Sequence, residues 1–218
     1  MSWTVFEQHT QEYDDWFDAH EPVYQAEIAA LQKFVPPAGL GIEVGVGTGR
    51  FAVPLGIPFG IDPSRCMLEI ARQRGLRVCQ AVGERLPFCD GQFDLVLLVT
   101  VICFVDDVLT LLRELNRVLK CGGHLVIGFI NRNSELGRAY ESRRETSAFY
   151  RDARFYGVEE VADRVQEAGF RSLQFCETLL GDPEQLGERG LEVRDGYGNG
   201  AFVVLSAQKV EQARGERL

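Results

Sequence analysis

Between Ile42 and Ser64 the chain reads IEVGVGTGRFAVPLGIPFGIDPS, which sets an acid, three alternating glycines and a second acid within one short apolar segment. A strand leads into the glycines, and a second strand ends just before Asp62. Gly45, Gly47 and Gly49 fall where the first strand turns. Without side chains they permit close approach of a ligand and dihedrals that other residues resist. Loops of this kind hold nucleotides. A dinucleotide such as NAD calls for G-x-G-x-x-G, whose third glycine lets a helix pack on the strand while its N-terminus faces the pyrophosphate. Here the spacing is G-x-G-x-G, and Arg50 stands where that third glycine belongs. Glu43 precedes the loop, a charge that disfavours a pyrophosphate and suits a ligand carrying an ammonium group.

The elements that must position these residues follow from the pattern around them. Residues 1–35 read as helical and aromatic, with Pro22 in the first turn of a second helix and Pro36-Pro37 ending it. From Gly41 short apolar runs alternate with amphipathic helices. GIEV and IPFGI are strands, and SRCMLEIARQRG is a helix with Ser64 as N-cap and Gly75 as its stop. RVCQA is a third strand. FDLVLLVTVI, apolar along its length, fits a central parallel strand covered on both faces. DDVLTLLRELNRVLK puts Val108, Leu111, Leu112, Leu115, Val118 and Leu119 on one helical face, and Gly122-Gly123 leads into HLVIGFI. GVEEVADRVQEAG resumes as a helix after a polar and aromatic segment, 131–156. The last two strands, RSLQFCETLL and GAFVVLSAQ, are joined without a helix and read as antiparallel neighbours. The expected architecture is α/β, a doubly wound, mostly parallel seven-stranded sheet with an antiparallel terminal hairpin. Residues 1–37 form a helical lid, 38–210 the binding domain with 131–156 as a lid insertion, and 211–218 a polar tail.

Composition narrows the partners. The 218 residues are 45% hydrophobic and 25% charged, with a formal net charge of -9. That balance argues against a dominant nucleic-acid partner, which needs clustered Lys and Arg. No run approaches the roughly 18 apolar residues of a membrane span, and the N-terminus lacks the pattern of a signal peptide. The 6 cysteines are scattered with no C-x-x-C pair, which reads as free, mostly buried thiols in a reducing cytoplasm.

Taken with the order of the segments after it, EVGVGTG resembles the first motif of the class I S-adenosylmethionine-dependent methyltransferases, and the likeness runs from Gly41 to about Gln208. It is most similar to the type 11 domain and, through EYDDWF and the LPF box, to quinone-biosynthesis methyltransferases. The resemblance implies S-adenosylmethionine as cofactor. Gly45, Val46, Gly47 and Gly49 would lie under it, with Glu43 at its amino end. Asp62, followed by Pro63, would accept the ribose hydroxyls. Met67 would pack on the adenine. Val82, Gly83 and Glu84 would border its edge, with Val82 standing where relatives carry an Asp. Thr100 would end the fourth strand beside the methyl donor, or merely terminate it. The path from Gly49 to Asp62, broken by Pro54 and Pro58, leaves room for only a turn or two of helix.

Methyl transfer from a sulfonium needs alignment and exclusion of water more than a catalytic constellation, and none is evident. Tyr13 either closes over the cofactor or belongs with Trp16 and Phe17 to a packing face, and Trp16, His20, Tyr150 and Arg154 are the candidate substrate contacts. His20 is the best candidate base, against a surface or capping role. His9 reads as solvated and His124 as structural. Tyr150 and Arg154 lie in the 131–156 segment, where an arginine contacting an anionic substrate competes with ordinary solvated charges. The leading expectation is methyl transfer to a small-molecule acceptor. A non-catalytic cofactor-binding protein of the same fold is the alternative, and an NAD-dependent oxidoreductase is disfavoured by Arg50.

Overall fold

Five strands alternate through the first two-thirds of the chain and pair in parallel: β1 (Gly41–Val44), β2 (Phe59–Asp62), β3 (Arg77–Gln80), β4 (Phe93–Val99) and β5 (Leu119–Ile130). β6 (Phe170–Leu180), β7 (Arg194–Asp195) and β8 (Gly200–Lys209) complete one sheet in the order β3-β2-β1-β4-β5-β8-β6-β7. This computed structural model describes residues 3–181 and 191–211, so the expected polar tail lies outside the described residues from 212 onward. β8 runs antiparallel between β5 and β6. The eighth strand, beyond the expected seven, is the two-residue β7, which pairs with Cys176 and Glu177 at the sheet edge.

The continuous apolar run of β4 arises because both of its faces are covered. Val96 and Leu98 join one core with α5 (Val108–Val118) and α7 (Val158–Glu167), while Leu95, Leu97 and Val99 join the core on the opposite face. α5 buries Val108, Leu111, Leu112, Leu115 and Val118, and the Asp107 carboxylate caps it by accepting from the Leu109 and Thr110 N–H groups at 3.0 and 3.1 Å. Leu119 belongs to β5 rather than to the helix. The Gly122-Gly123 pair sits inside that strand, where the register against β4 shifts between Phe93 and Leu95; such a bulge lets the chain turn directly from α5 into the sheet.

Three helices, not two, precede β1: α1 (Thr4–Gln8), α2 (Thr10–Ala19) and α3 (Glu21–Gln32). They break at His9 and His20, whose backbones leave the helical region. α3 is part of the domain core. Ile28, Ala30 and Leu31 are buried with Val126 and Phe202 of the sheet, which narrows the expected cover to α1 and α2. Between Gly49 and Gly56 the chain makes only a turn, with the Val53 and Leu55 N–H groups donating to the Gly49 and Phe51 carbonyls at 3.2 and 3.3 Å, in keeping with the expected turn or two. α4 (Arg65–Gln73) starts at Ser64, whose hydroxyl accepts from the Met67 N–H at 3.2 Å. α6 (Glu135–Arg143) and a short 3-10 turn, Arg144–Thr146, fill the 131–156 segment. The cysteines correct one expectation: all are free, but only Cys103 and Cys176 are buried, while Cys79, Cys89 and Cys121 are exposed because they sit on the edge strand β3 and on loops or the exposed start of β5.

Candidate functional site

At the carboxyl end of β1 the chain folds back on β2, with the Gly45 and Val46 N–H groups both donating to the Ile61 carbonyl at 2.8 Å. Gly45 has φ +75°, and a Cβ there would meet the Val101 Cγ2 at 2.2 Å, so no other residue fits without displacing that wall. At Gly47, with φ +51°, the nearest atoms to a Cβ belong to the Tyr13 ring at 3.5 Å. Tyr13 therefore lies over the bare backbone of the loop.

The loop opens into a cavity of about 830 Å³, within the range of small-molecule sites. Of the residues assigned from sequence, Gly45, Gly47, Asp62, Pro63, Met67, Val82, Gly83, Glu84, Thr100, Tyr13, Trp16 and Tyr150 line it. The Asp62 carboxylate accepts from the Gly47 N–H at 3.0 Å and the Ser64 N–H at 2.8 Å, so it ties the glycine loop to the start of α4. Burial pushes its pKa up to about 6, despite both N–H groups. Thr100 lines the wall in a left-handed backbone, φ +53°. For a β-branched residue this is a strained position, and such strain concentrates at functional sites.

Glu43, Val46 and Gly49 do not line the cavity; they stand behind it. Glu43 is 1% exposed, its Oε2 has no hydrogen-bond partner, and burial holds its carboxyl well above the usual range. His20 and Arg154 also lie outside. His20 is exposed, stacked on Trp16 at 4.4 Å with Nδ1 2.8 Å from the Trp16 carbonyl, so it caps a helix end as the alternative reading had it. The Arg154 guanidinium turns outward onto the Tyr156 ring at 5.3 Å.

Two further sets of residues complete the site, the second drawn largely from the segments expected to act as lids. The first is a buried ionic cluster that fastens α2 to the glycine loop. Asp14 accepts from Arg50 at 2.9 Å, from Arg74 at 2.7 Å and from the Thr48 hydroxyl at 2.6 Å, and Arg50 also reaches Asp18 at 2.6 Å. Burial opposes ionisation of Asp14, but the two guanidiniums and the hydroxyl outweigh it and hold the carboxyl well below the usual range. Arg50, which the dinucleotide motif could not accommodate, is thus the anchor of the cover. α1 is held likewise, by Glu7 bonding the Ser64 hydroxyl and the Cys66 thiol. The second set is aromatic and acidic. Phe6 packs edge-on against Tyr13 and Phe104 at 5.7 and 4.9 Å, and Phe149 meets Phe6 at 5.7 Å, which closes a roof between the N-terminal helices and the 131–156 segment. Beneath it Glu27 of α3 lines the cavity at 5% exposure.

The arrangement fits the expected cofactor on its own geometry. Bare backbone lies at the loop, a buried carboxylate stands at the end of β2 where a diol can bond it, and the Met67 side chain floors the space beyond. A diol prefers the ionised carboxylate, and Asp62 titrates near 6. Affinity for S-adenosylhomocysteine should therefore be full above that value and fall as the pH drops through it. Asp62→Ala should weaken binding by roughly 1.5–3 kcal/mol, the range for hydrogen bonds to a charged group. Calorimetry between pH 5 and 8 tests both; a flat profile with an unchanged dissociation constant would remove Asp62 from the site.

Comparison with known proteins agrees with this geometry. Residues 42–127 match the family model described as a methyltransferase domain. A protein of uncharacterised function from Methanocaldococcus jannaschii is 43% identical over 206 residues, covering 94% of this chain and 99% of its own. Another, from Mycobacterium tuberculosis, is 42% identical over 207 residues, covering 92% of this chain and 72% of its own. The crystal structure of a SAM-dependent methyltransferase from Thermotoga maritima superposes with a TM-score of 0.91 at 47% identity, covering 95% of this chain and 99% of that one. With the glycine loop, the acid ending β2 and the strand order all in place, the chain belongs to the class I S-adenosylmethionine-dependent methyltransferases.

Proposed function

We propose that the protein transfers a methyl group from S-adenosylmethionine to a small-molecule acceptor by in-line displacement. The observation that carries this reading is continuity. A single cavity joins the Gly45–Asp62–Met67 end to a compartment walled by Tyr13, Phe17, Tyr140 and Tyr150. When bound, the cofactor supplies a methyl group already activated on a sulfonium. The chain's own work is then to bind, align and exclude water. Asp62 would hold the ribose, Met67 with Val82, Gly83 and Glu84 the adenine, and the backbone at Gly45 and Gly47 the methionine portion. Glu43 would act from behind the loop rather than by direct contact. Tyr13, Phe6 and Phe149 would keep water from the reacting atoms. The Thermotoga maritima relative is described as a possible histamine N-methyltransferase, which supports a small acceptor. The net charge of -9 supports the same class over nucleic acid.

The test has two stages. Calorimetry should show binding of S-adenosylmethionine and S-adenosylhomocysteine but not NAD. Radiolabelled methyl transfer to a panel of amines, phenols and quinols should then identify acceptors, the quinols covering the resemblance of EYDDWF and LPF. Cofactor binding with no transfer to any metabolite would favour a binding protein of the same fold.

A further inference from the structure

Glu27 is a buried acid with no structural task. It lies within the third helix, is 5% exposed, and lines the cavity. Among the described residues it has neither a hydrogen bond nor an ion pair, and burial alone perturbs it. The other buried carboxylates are occupied or turned away. Asp62 and Glu177 each accept from two backbone N–H groups and Asp14 from two arginines, while Glu43 lies behind the loop. An isolated buried carboxyl is costly unless something pairs with it. The wall offers it phenols but no cation. No lysine, arginine or histidine lines the cavity among the described residues, whereas six acids do. The groups nearest Glu27 in charge are phenols: Tyr13, Tyr140 and Tyr150, whose acidities its charge depresses further. Tyr140 and Tyr150, which also line the cavity, stack on each other at 4.7 Å.

We propose that Glu27 is the acceptor-binding carboxylate and that the acceptor is a compact organic amine, whose nitrogen Glu27 holds and relieves of a proton before the methyl group arrives. The inference rests on the methyltransferase reading above and deepens it by naming the substrate class. A carboxylate among aromatic faces is the chemistry that recognises an ammonium group, by a charge-assisted hydrogen bond and by cation–π attraction. An anionic acceptor would meet a wall of acidic residues and no cation among the described residues. The proton balance also closes. The ammonium gives its proton to the Glu27 carboxylate, which frees a nitrogen lone pair. That pair forms the new N–C bond as the C–S bond of the sulfonium breaks and its electrons return to sulfur. The product is the N-methylated ammonium and S-adenosylhomocysteine, and Glu27 later releases its proton to solvent. Burial pushes the Glu27 pKa up to about 8, which makes its carboxylate a stronger base toward an ammonium than an ordinary carboxylate is.

The test uses the full chain loaded with S-adenosylhomocysteine. Phenethylamine, histamine and 1,4-diaminobutane are titrated by calorimetry beside 2-phenylethanol and catechol, and the same compounds are offered as acceptors with radiolabelled S-adenosylmethionine. At least one amine should bind and accept methyl. Glu27→Gln should cut kcat/KM for that amine by 100-fold or more, and Glu27→Asp should restore part of it. Affinity for S-adenosylhomocysteine and the melting temperature in the two variants show whether the fold survives. Binding of no amine, transfer only to hydroxyls, or an undiminished rate in Glu27→Gln would overturn the proposal. Failure of the wild-type protein to bind S-adenosylhomocysteine would instead overturn the reading beneath it.

Discussion

Replacing Asp14 by asparagine should destabilise the protein by about 3–5 kcal/mol, the usual cost of removing one partner from a buried ionic cluster. It should weaken S-adenosylhomocysteine binding as well. Asp14 is 6% exposed and receives both Arg50 and Arg74, with the Thr48 hydroxyl as a third donor. Asparagine keeps the hydroxyl contact and loses the charge. Arg50 retains the exposed Asp18 and Arg74 retains the Thr48 carbonyl, so neither is wholly orphaned, but their desolvation is no longer offset. Since this cluster joins α2 to the segment that follows the glycine loop, the penalty should appear first as undocking of α1 and α2. Hydrogen exchange should quicken in Phe6–Phe17 while α3, packed on the sheet, keeps its protection. The sign with pH is fixed. A carboxyl whose folded pKa is depressed contributes stability that is present above its unfolded value, near 3.8, and is lost as the pH falls below it. The difference between wild type and Asp14→Asn should therefore be largest near neutrality and shrink in acid. Urea denaturation measures it. Equal midpoints at pH 7, with unaltered exchange in α2, would show that the cluster does not hold the cover.

The contrast between this cluster and the glycine loop explains what the sequence could and could not reveal. Gly45, Asp62 and Met67 are legible because a few adjacent residues dictate their own geometry: a strand end, a turn that only glycine fits, an acid at the next strand end and a capped helix. Asp14 and Arg74 are 60 residues apart in the chain and meet only when α2 docks. Nothing local marks Asp14 as buried: Asp15 and Asp18 beside it are exposed. Arg50 was conspicuous, but only as a residue unsuited to one motif. Glu27 did carry a signal. It stands four residues from both Val23 and Leu31, on the stripe that α3 turns toward the core, where an acid contradicts the apolar pattern. For His20 and Arg154 the residue type leaves two roles open and only direction separates them: one caps a helix, as a surface or capping histidine would, and the other lies on Tyr156 outside the cavity.

Glu27→Met should make the protein more stable, and more so in alkali. The folded pKa of Glu27 is raised from 4.5 to about 8 by burial. For a raised value, the contribution to stability is full below the unfolded pKa, declines as the pH rises between the two values, and is gone above the folded one. At about 1.36 kcal/mol per pKa unit, the wild-type chain loses roughly 3–5 kcal/mol across that window relative to a side chain that does not titrate. Methionine has similar length and no charge to bury. Tyr13, Tyr140 and Tyr150, the titratable groups facing Glu27 from α2, α6 and the 131–156 segment, stay neutral there because burial raises them as well. Wild type and variant should thus melt within a few degrees of each other near pH 5 and diverge by about 10 °C near pH 9, at the usual 2–4 °C per kcal/mol for a chain of this size. A gap of the same size at both pH values would mean that Glu27 is solvated rather than buried. If the gap widens as expected while Glu27→Met still binds S-adenosylhomocysteine, the native chain gives up stability to keep an ionisable group in that wall. Sites that sacrifice stability in this way are typically those that do chemistry, and the amine titrations would then identify which chemistry it is.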